Sequence, residues 1–468
     1  MYKRQILNIA VFDTGAYIIG KNFGRNPFLP ELSPNKTVEG LIGGLISSLL
    51  FVICAYLFIE EVSFLRSSVM ILAIPFALCG DYFFSFLKRK ANVKDTGSIG
   101  ENALSVIDSN KEKFELVGIS VNRNVEKANQ IIRKYNPKYI FLYDKSAKVN
   151  ILKTKNSVIC EEDKELSDIF NSTDVDIVIS AISGFAGIKS TFQAAKSGKK
   201  VLLANKESVV TGGSLLMKTI SDNNTELIPI DSEHNAIFQC LPESRSTEDV
   251  KQIAITASGG PFHGKNIDEL NNIGVQEALN HPNWEMGAKI SIDSATLVNK
   301  CLELIEACYL FDMDESFFEL VIHPESIIHS IVTFNDGSSI CQMSNPDMRV
   351  PLANAMSYDK RLSIPFQPIN FNNLELNFES FPNDRAEIVQ LAREAAREDS
   401  AKGIYFNAAN EVAVENFLKN KISFRQIYEV ILRTFDIKEM SKFSTIEDIF
   451  EIDQEARNIS NIVIKSLT

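Results

Sequence analysis

The sequence predicts an α/β fold in four parts: a doubly wound nucleotide-binding domain whose first strand is missing, an α+β catalytic domain, a C-terminal helical domain, and transmembrane helices ahead of all three. Three observations carry this. Two long apolar runs precede Lys88. From Thr96 onward, short β-branched runs alternate with polar stretches of helical period. Between the two regions lies "NVKDTGSIGENAL" (92–104), a loop of the kind that cradles phosphate at a helix N-terminus, yet it follows "DYFFSFLKRKA" where a buried strand belongs.

The bulk composition sets limits. At 468 residues the chain has room for about three domains. Its net charge of −12 argues against a nucleic-acid partner, because phosphate binding needs a basic face. The charge is uneven: residues 1–93 hold nine Lys/Arg against six Asp/Glu, net +3, which leaves −15 on the remainder. The seven cysteines (Cys54, Cys79, Cys160, Cys240, Cys301, Cys308, Cys341) form no CxxC pair. They suit buried thiols in a reducing compartment better than a disulfide framework or a zinc site.

The first region is 1–93. Gly40 to Ile59 passes twenty residues without a charge, the length a helix needs to cross ~30 Å of hydrocarbon. Ser67 to Leu87 is broken only by Asp81 and ends at Lys88, Arg89 and Lys90, while Glu60 and Glu61 lie between the runs. The positive-inside rule then predicts a helical hairpin with both ends in the cytoplasm; two buried helices of a soluble domain are the other reading. Ile6 to Gly20, interrupted by Asp13, is a weaker third segment.

The second region is 94–230. "FELVGIS" (114–120), "YIFLYD" (139–144), "VDIVISAI" (175–182) and "KKVLLAN" (199–205) read as strands, separated by helical stretches such as "NVEKANQIIRKY" and "GIKSTFQAAKSG". That alternation implies a parallel sheet with right-handed crossovers. "TGSIGENALSVI" would be its first turn and helix, with Gly97 and Gly100 admitting a pyrophosphate, although a GxxG alone serves equally as an ordinary N-cap turn. Arg123, just past a strand, stands where a 2′-phosphate needs a cation and favours NADP over NAD; a solvated arginine is the bland alternative.

The third region, 231–363, holds the densest chemistry. "IPIDSEHNAIFQ" places Asp231 and Glu233 two apart after an apolar run, so an extended backbone would point both carboxylates to one side. "ITASGGPF" sets Ser258 beside two glycines, where backbone amides can meet an anion. "HPNWEMGAKISIDSATLVNKCLELIEA" supplies His281, Trp284, Ser294, Asn299, Lys300 and Glu303. Singly these are a capping acid, a core Trp and a charged helix face. Together they point to an oxygen-ligand metal site beside a phosphate pocket. "IHPESIIHSIVTFNDGSSICQM" reads as two strands turning at Asp336-Gly337. A Pro- and Asn-rich linker (364–384) leads to a helical region, 385–468, where "AEIVQLAREAA" has helical period.

Two resemblances add to this. "FDTGAYIIGKNFGRNPFLPELSPNKTVEGLIGG" and "GDYFFSFLKRKANVKD" resemble the C-terminal part of the phosphatidate cytidylyltransferase family, with Asp13 at a metal-binding acid and Lys94-Asp95 at the start of its signature. The Pro-Gly-His-Gly-Gly and Asp-Arg-x-Asp motifs that should follow are absent, so nucleotidyl transfer is not expected. Residues 96–468 resemble the 1-deoxy-D-xylulose 5-phosphate reductoisomerase family through "TGSIG", "LLANKES", "PIDSEHNAIFQ", "ASGGPF", the 281–307 stretch, "IHPESIIHS", "NPDMRVP" and "NAANE".

The second resemblance implies a homodimeric, NADPH-dependent oxidoreductase and isomerase of non-mevalonate isoprenoid biosynthesis that uses Mg²⁺ or Mn²⁺. It would turn 1-deoxy-D-xylulose 5-phosphate into 2-C-methyl-D-erythritol 4-phosphate. Asp231, Glu233 and Glu303 would ligate the ion, and Lys206 and Ser232 would stand by the reacting carbons. Ser258, Ser294, Asn299 and Lys300 would hold phosphate and hydroxyl groups, under a flap bearing His281, Trp284 and Met286. Thr96, Gly97, Ser98, Ile99, Arg123 and Asn124 would face the cofactor's phosphates, and Asn205, Glu207 and Gly287 its nicotinamide; His323 and His329 would be structural. The family's first strand ends in Gly-x-Thr-Gly-Ser-Ile-Gly, whereas this chain has "KDTGSIG" with no apolar strand before it. The two resemblances meet at the shared string "DTG", as if a deletion had joined them there. The expected protein is therefore a reductoisomerase with its catalytic part in the cytoplasm and its N-terminus in the inner membrane; the alternative is a catalytically impaired membrane fusion or a residual CDP-diacylglycerol synthase fragment.

Overall fold

The computed structural model describes residues 98–467 except 285, 358, 398–400 and 437–441, together with 38, 39, 42, 46 and 47. The chain divides into two compact units, Met1–Lys94 and Asp95–Thr468. The few described positions of the first unit are helical. The expected membrane runs, 40–59 (save Ile42, Ile46 and Ser47) and 67–87, lie outside the described residues, as do Thr96 and Gly97. Among the described residues no helix is long and apolar enough to cross a membrane.

In the second unit the expected alternation is present. Helix α1 (Ser98–Ser109) precedes strands β1 (Gly118–Val121), β2 (Tyr139–Leu142) and β3 (Val158–Cys160), which pair in parallel in that order. A second parallel sheet has the order β4 (Ile177–Ser180), β5 (Lys200–Leu203), β6 (Glu226–Pro229). Helices α2 (Val125–Tyr135), α3 (Asp163–Asn171), α4 (Ile188–Ala195) and α5 (Lys206–Asp222) make the crossovers. A doubly wound sheet keeps its first strand in the middle, and among the described residues the strands stand as two three-stranded halves with no strand between them. Side chains still join the halves: Phe141 of β2 packs in one apolar cluster with Val178 and Val201, and Ala103, Val106 and Ile107 of α1 pack with Leu202 and Ile228.

The catalytic region follows with α6 (Ser232–Cys240), β7 (Val250–Ala257), α7 (Val275–Leu279), α8 (Ala288–Ala295), α9 (Val298–Phe311), β8 (Phe318–Ile322), β9 (Ile328–Phe334), β10 (Ser339–Met343) and α10 (Arg349–Met356). Its five-stranded sheet has the order β10-β9-β7-β8 and then β11 (Glu379–Ser380), and only β7 and β8 run parallel. The β9–β10 hairpin turns where expected, with Gly337 at φ +87°. The expected linker 364–384 is not wholly irregular: β11 (Glu379–Ser380) pairs with Ile322 and Val321 of β8.

Four C-terminal helices complete the unit: α11 (Ala386–Arg397), α12 (Lys402–Leu418), α13 (Phe424–Phe435) and α14 (Ile446–Leu467). Most of α12 from Gly403 to Val414 is buried, so it is a core helix rather than an amphipathic surface one. It packs against α5 backbone to backbone: a Cβ on Gly403 would lie 2.2 Å from the Val210 carbonyl oxygen. The helix that carries Lys206 and Glu207 is thereby fixed by the C-terminal helices.

Candidate active site

The site grows from strand ends. Lys206 follows β5, Asp231 and Glu233 follow β6, Ser258 follows β7, and Ser326 lies just beyond β8. All emerge from carboxyl ends of parallel strands, where open α/β sheets place their ligands. The opposite wall is α9, which contributes buried Lys300 and Glu303 and half-buried Asn299. Together they line a cleft of about 150 Å³.

One local expectation is corrected. Asp231 and Glu233 do not share a face of an extended segment: Asp231 is the N-cap of α6, its Oδ1 accepting the Glu233 N–H at 3.2 Å, and Glu233 stands in the first helical turn. An aspartate ahead of a helix satisfies a free amide, and that preference sets the backbone here. The carboxylates converge nonetheless, with one ligand oxygen from each of Asp231, Glu233 and Glu303 within 4.8 Å of the others.

Two buried ammonium groups hold these acids. Lys206 Nζ lies 2.7 Å from Asp231 Oδ2, 3.0 Å from Glu303 Oε1 and 2.9 Å from Asn299 Oδ1. Lys300 Nζ pairs with Glu303 and lies 3.2 Å from Glu233 Oε1. Burial works against the Lys206 cation, but Asp231, Glu303 and Glu306 outweigh it and keep its pKa well above the lysine range. Burial likewise opposes the Asp231 anion, and Lys206, His234 and Lys300 overcome it and hold its pKa below the carboxylate range. Glu233 is pushed up to about 7, by burial first, against Lys300 and with the charges of Glu303 and Asp231 adding.

Behind the acids, His234 is fully buried, with Nε2 2.9 Å from the Glu303 carbonyl and Nδ1 3.1 Å from Glu306 Oε2. Burial lowers its pKa, yet Glu306 and then Asp231 raise it further, to about 9.

His281 organises the other side of the cleft. Its Nδ1 accepts the backbone N–H groups of Asn283 (3.2 Å) and Trp284 (3.0 Å), which places the proton on Nε2. Nε2 lies 3.1 Å from both Ser258 Oγ and Ser294 Oγ. Burial holds its pKa down at about 4, so the ring is neutral. Trp284 and Met286 line the same cleft.

The structure brings Lys206, Asp231, Ser232, Glu233, Ser258, His281, Trp284, Met286, Ser294, Asn299, Lys300, Glu303 and Ile99 to this one cleft. Of the remaining cofactor candidates Thr96 and Gly97 lie outside the described residues, Ser98 opens α1, and the others do not line this cleft. Arg123 is exposed beyond β1, and Asn124 caps α2 by accepting the Lys127 N–H at 3.1 Å. Gly287 is the N-cap of α8. Asn205 and Glu207 are buried and engaged internally: Asn205 caps α5 and reaches the Ile182 and Gly184 carbonyls, and Glu207 pairs with Lys289 at 2.8 Å. Ser326 and Met348, which carry no motif signal as site residues, also line the cleft; of the two histidines expected to be structural, His329 borders the cleft with Nε2 3.0 Å from Ser344 Oγ, and His323 bonds to Asn377 O and to the Ile327 and Ile328 amides. Ser326 adopts φ +53°, a conformation without a sequence signal for serine.

The donor set fits a hard divalent ion. An octahedral ion with ligands at about 2.1 Å sets neighbouring oxygens about 3 Å apart and opposite ones about 4.2 Å apart, so the three carboxylates, with one oxygen each within 4.8 Å of the others, would close around the ion they share. Lys206 and Lys300 already supply positive charge at that point.

Comparisons with known proteins agree over the second unit. Residues 94–213 match the family described as 1-deoxy-D-xylulose 5-phosphate reductoisomerase, residues 227–311 its C-terminal domain, and residues 343–459 a DXP reductoisomerase C-terminal domain. Residues 5–101 match the cytidylyltransferase family, so the two matches overlap at 94–101, across the shared string. A 1-deoxy-D-xylulose 5-phosphate reductoisomerase of Francisella tularensis subsp. holarctica is 42% identical over 385 residues, 81% of this chain and 100% of the relative. One from Thermodesulfovibrio yellowstonii is 41% identical over 376 residues, 80% and 98% of the two chains. Among solved structures, a DOX-P reductoisomerase in complex with NADPH, fosmidomycin and magnesium is similar at 37% identity and TM-score 0.73, covering 80% of this chain and 97% of that one. The Zymomonas mobilis reductoisomerase with NADPH gives the same identity and TM-score over 80% and 98%.

Proposed function

The chain belongs to the 1-deoxy-D-xylulose 5-phosphate reductoisomerase family, and from that premise we propose how its own residues perform the NADPH- and divalent-metal-dependent conversion of 1-deoxy-D-xylulose 5-phosphate to 2-C-methyl-D-erythritol 4-phosphate. The observation that carries the reading is the convergence of Asp231, Glu233 and Glu303 beside two lysines in a cleft floored by strand ends.

Asp231, Glu233 and Glu303 hold Mg²⁺ or Mn²⁺. When bound, the ion supplies Lewis acidity to the substrate's carbonyl and hydroxyl oxygens, and NADPH supplies hydride. Lys206, anchored by Asp231, Glu303 and Asn299, presents an ammonium where negative charge develops on the rearranging carbons. Ser232 Oγ donates to Glu233 Oε2 at 2.6 Å and orients that carboxylate. Ser258, Ser294, Asn299 and Lys300 receive the substrate's phosphate and hydroxyls, with His281 Nε2–H tying the two serines to the flap. Trp284 and Met286 cover the cleft and exclude water from the intermediate.

A homodimer is supported by β10, an edge strand whose Ser339, Ile340 and Cys341 are exposed, since bare edges are usually paired or blocked. Membrane attachment is supported by the lengths of the two apolar runs, and a reducing, cytoplasmic setting for the catalytic part by its free buried thiols.

A second reading, a catalytically impaired fusion, is favoured by the division of the nucleotide-binding sheet into two halves among the described residues. One assay separates the two readings: substrate-dependent loss of NADPH absorbance with Mg²⁺ supplied. Turnover supports the first reading, and a flat trace the second.

A further inference from the structure

The motif "NAANE" touches neither the metal acids nor the serines of the cleft, yet its last two residues reach toward both sides of the site. Asn410 and Glu411 are neighbours on α12, in the C-terminal helical domain. Asn410 Nδ2 donates to Asp293 Oδ1 at 2.9 Å, and both residues are buried. Asp293 lies on α8 immediately before Ser294, and its second oxygen accepts from Lys289 at 2.7 Å. Asn410 therefore fixes the helix that carries Ser294 and that begins where the flap ends.

Glu411 reaches the other way. Its Oε1 accepts the backbone N–H of Phe185 at 2.8 Å, and its Oε2 pairs with Arg457 Nη2 at 2.5 Å. Arg457 is itself held by Asp453 at 2.6 Å on α14. Phe185 belongs to the loop that leaves the carboxyl end of β4, bent by Gly184 at φ +74°. A Cβ on Gly184 would meet Glu411 Oε1 at 2.9 Å, so the carboxylate is seated directly on the turn. Asn205 grips the same loop from β5, through the carbonyls of Ile182 and Gly184. A loop at this strand end is where a doubly wound sheet receives its dinucleotide. The two sides are also tied to each other by Lys289, which bridges Asp293 on α8 to Glu207 on α5.

We propose that Asn410 and Glu411 are positioning residues: Glu411 sets the cofactor-side loop 182–187 and Asn410 sets the substrate-side helix α8, so that one rigid C-terminal helix holds the two binding surfaces in register. The proposal rests on the reductoisomerase reading of the cleft. Neither residue touches substrate or cofactor. Each acts by holding backbone that does, and loss of a hydrogen bond to a charged group loosens that backbone.

The test is steady-state kinetics on the full chain with Mg²⁺, varying NADPH and sugar phosphate separately. Glu411→Ala is expected to raise the KM for NADPH by about tenfold and leave the KM for 1-deoxy-D-xylulose 5-phosphate unchanged; Asn410→Ala is expected to do the reverse. A purely structural role predicts something else, a fall in kcat with the active fraction and both KM values unmoved, and that result overturns the proposal. So does a rise in the same KM in both variants. If Glu411→Ala does not fold, Arg457→Met removes the distal partner of Glu411 and is expected to raise the NADPH KM alone; an unchanged value there overturns the Glu411 assignment. A wild-type chain without substrate-dependent NADPH oxidation removes the functional reading itself, and this inference with it, whereas an active wild type without the KM split removes only the inference.

Discussion

His281 and His329 both border the cleft, and burial lowers the pKa of each to about 4. For His329, which is 3% exposed, the consequence for stability has a definite sign. The unfolded chain takes up the proton near the ordinary histidine value of 6.5, while the folded chain resists until about 4. Stability is therefore full above roughly pH 6.5 and declines as pH falls toward 4, by on the order of 3 kcal/mol for this group. Urea midpoints measured across that range should slope downward toward acid, and His329→Asn should flatten the slope. Lys206 offers a second test. Lys206→Met removes a cation from between two buried acids, Asp231 and Glu303, and is expected to abolish turnover while Mg²⁺ addition restores some of the lost stability, read as a rise in Tm.

Helix α5 shows how an element serves the site from a distance. Its first turn carries Lys206 and Glu207, and its middle bears on α12 at Gly403, where the Val210 carbonyl leaves no room for a methyl group. Gly403→Ala is expected to cost about 2 kcal/mol or more through backbone displacement, measurable as a lowered denaturation midpoint, and to reduce activity with it. Much at this level could be read in the sequence. The β-branched runs marked β1, β2, β4 and β5, and Asp336-Gly337 marked the β9–β10 hairpin, because strand period and turn chemistry are local. The capping of α6 by Asp231 was legible in principle but lost to an equally local alternative, an extended pair of carboxylates. The interior roles of Asn205 and Glu207 were not legible. They depend on Ile182, Gly184 and Lys289, which come near only when the chain is folded.

Across the chain, two histories of sequence meet at one loop. The cytidylyltransferase match ends at residue 101 and the reductoisomerase match begins at 94, and beyond that overlap the nucleotide-binding sheet stands in two parallel halves among the described residues. The metal and substrate side draws on α6, α9, the five-stranded sheet and the ends of β5 and β6, which stand together in one half, so its acids and lysines do not span the join. The cofactor side does. We expect NADPH to bind more weakly to this chain than to a version in which an apolar strand and the glycine of the family motif are restored ahead of Thr96, with the affinity for the sugar phosphate equal in both; fluorescence titration of NADPH and kinetic KM values would show it. Motifs made the three acids legible long before their geometry, since a helix cap, a first turn and a distant buried helix leave no shared local pattern. Their union on one dication is the claim on which the whole account stands. Titration with Mn²⁺, followed by electron paramagnetic resonance, tests it most directly: the account expects a single tight ion per chain, with affinity lost by more than about a hundredfold in Glu303→Gln and in Asp231→Asn, beyond what an outer-shell change costs. Mn²⁺ binding that survives both substitutions unchanged would contradict it.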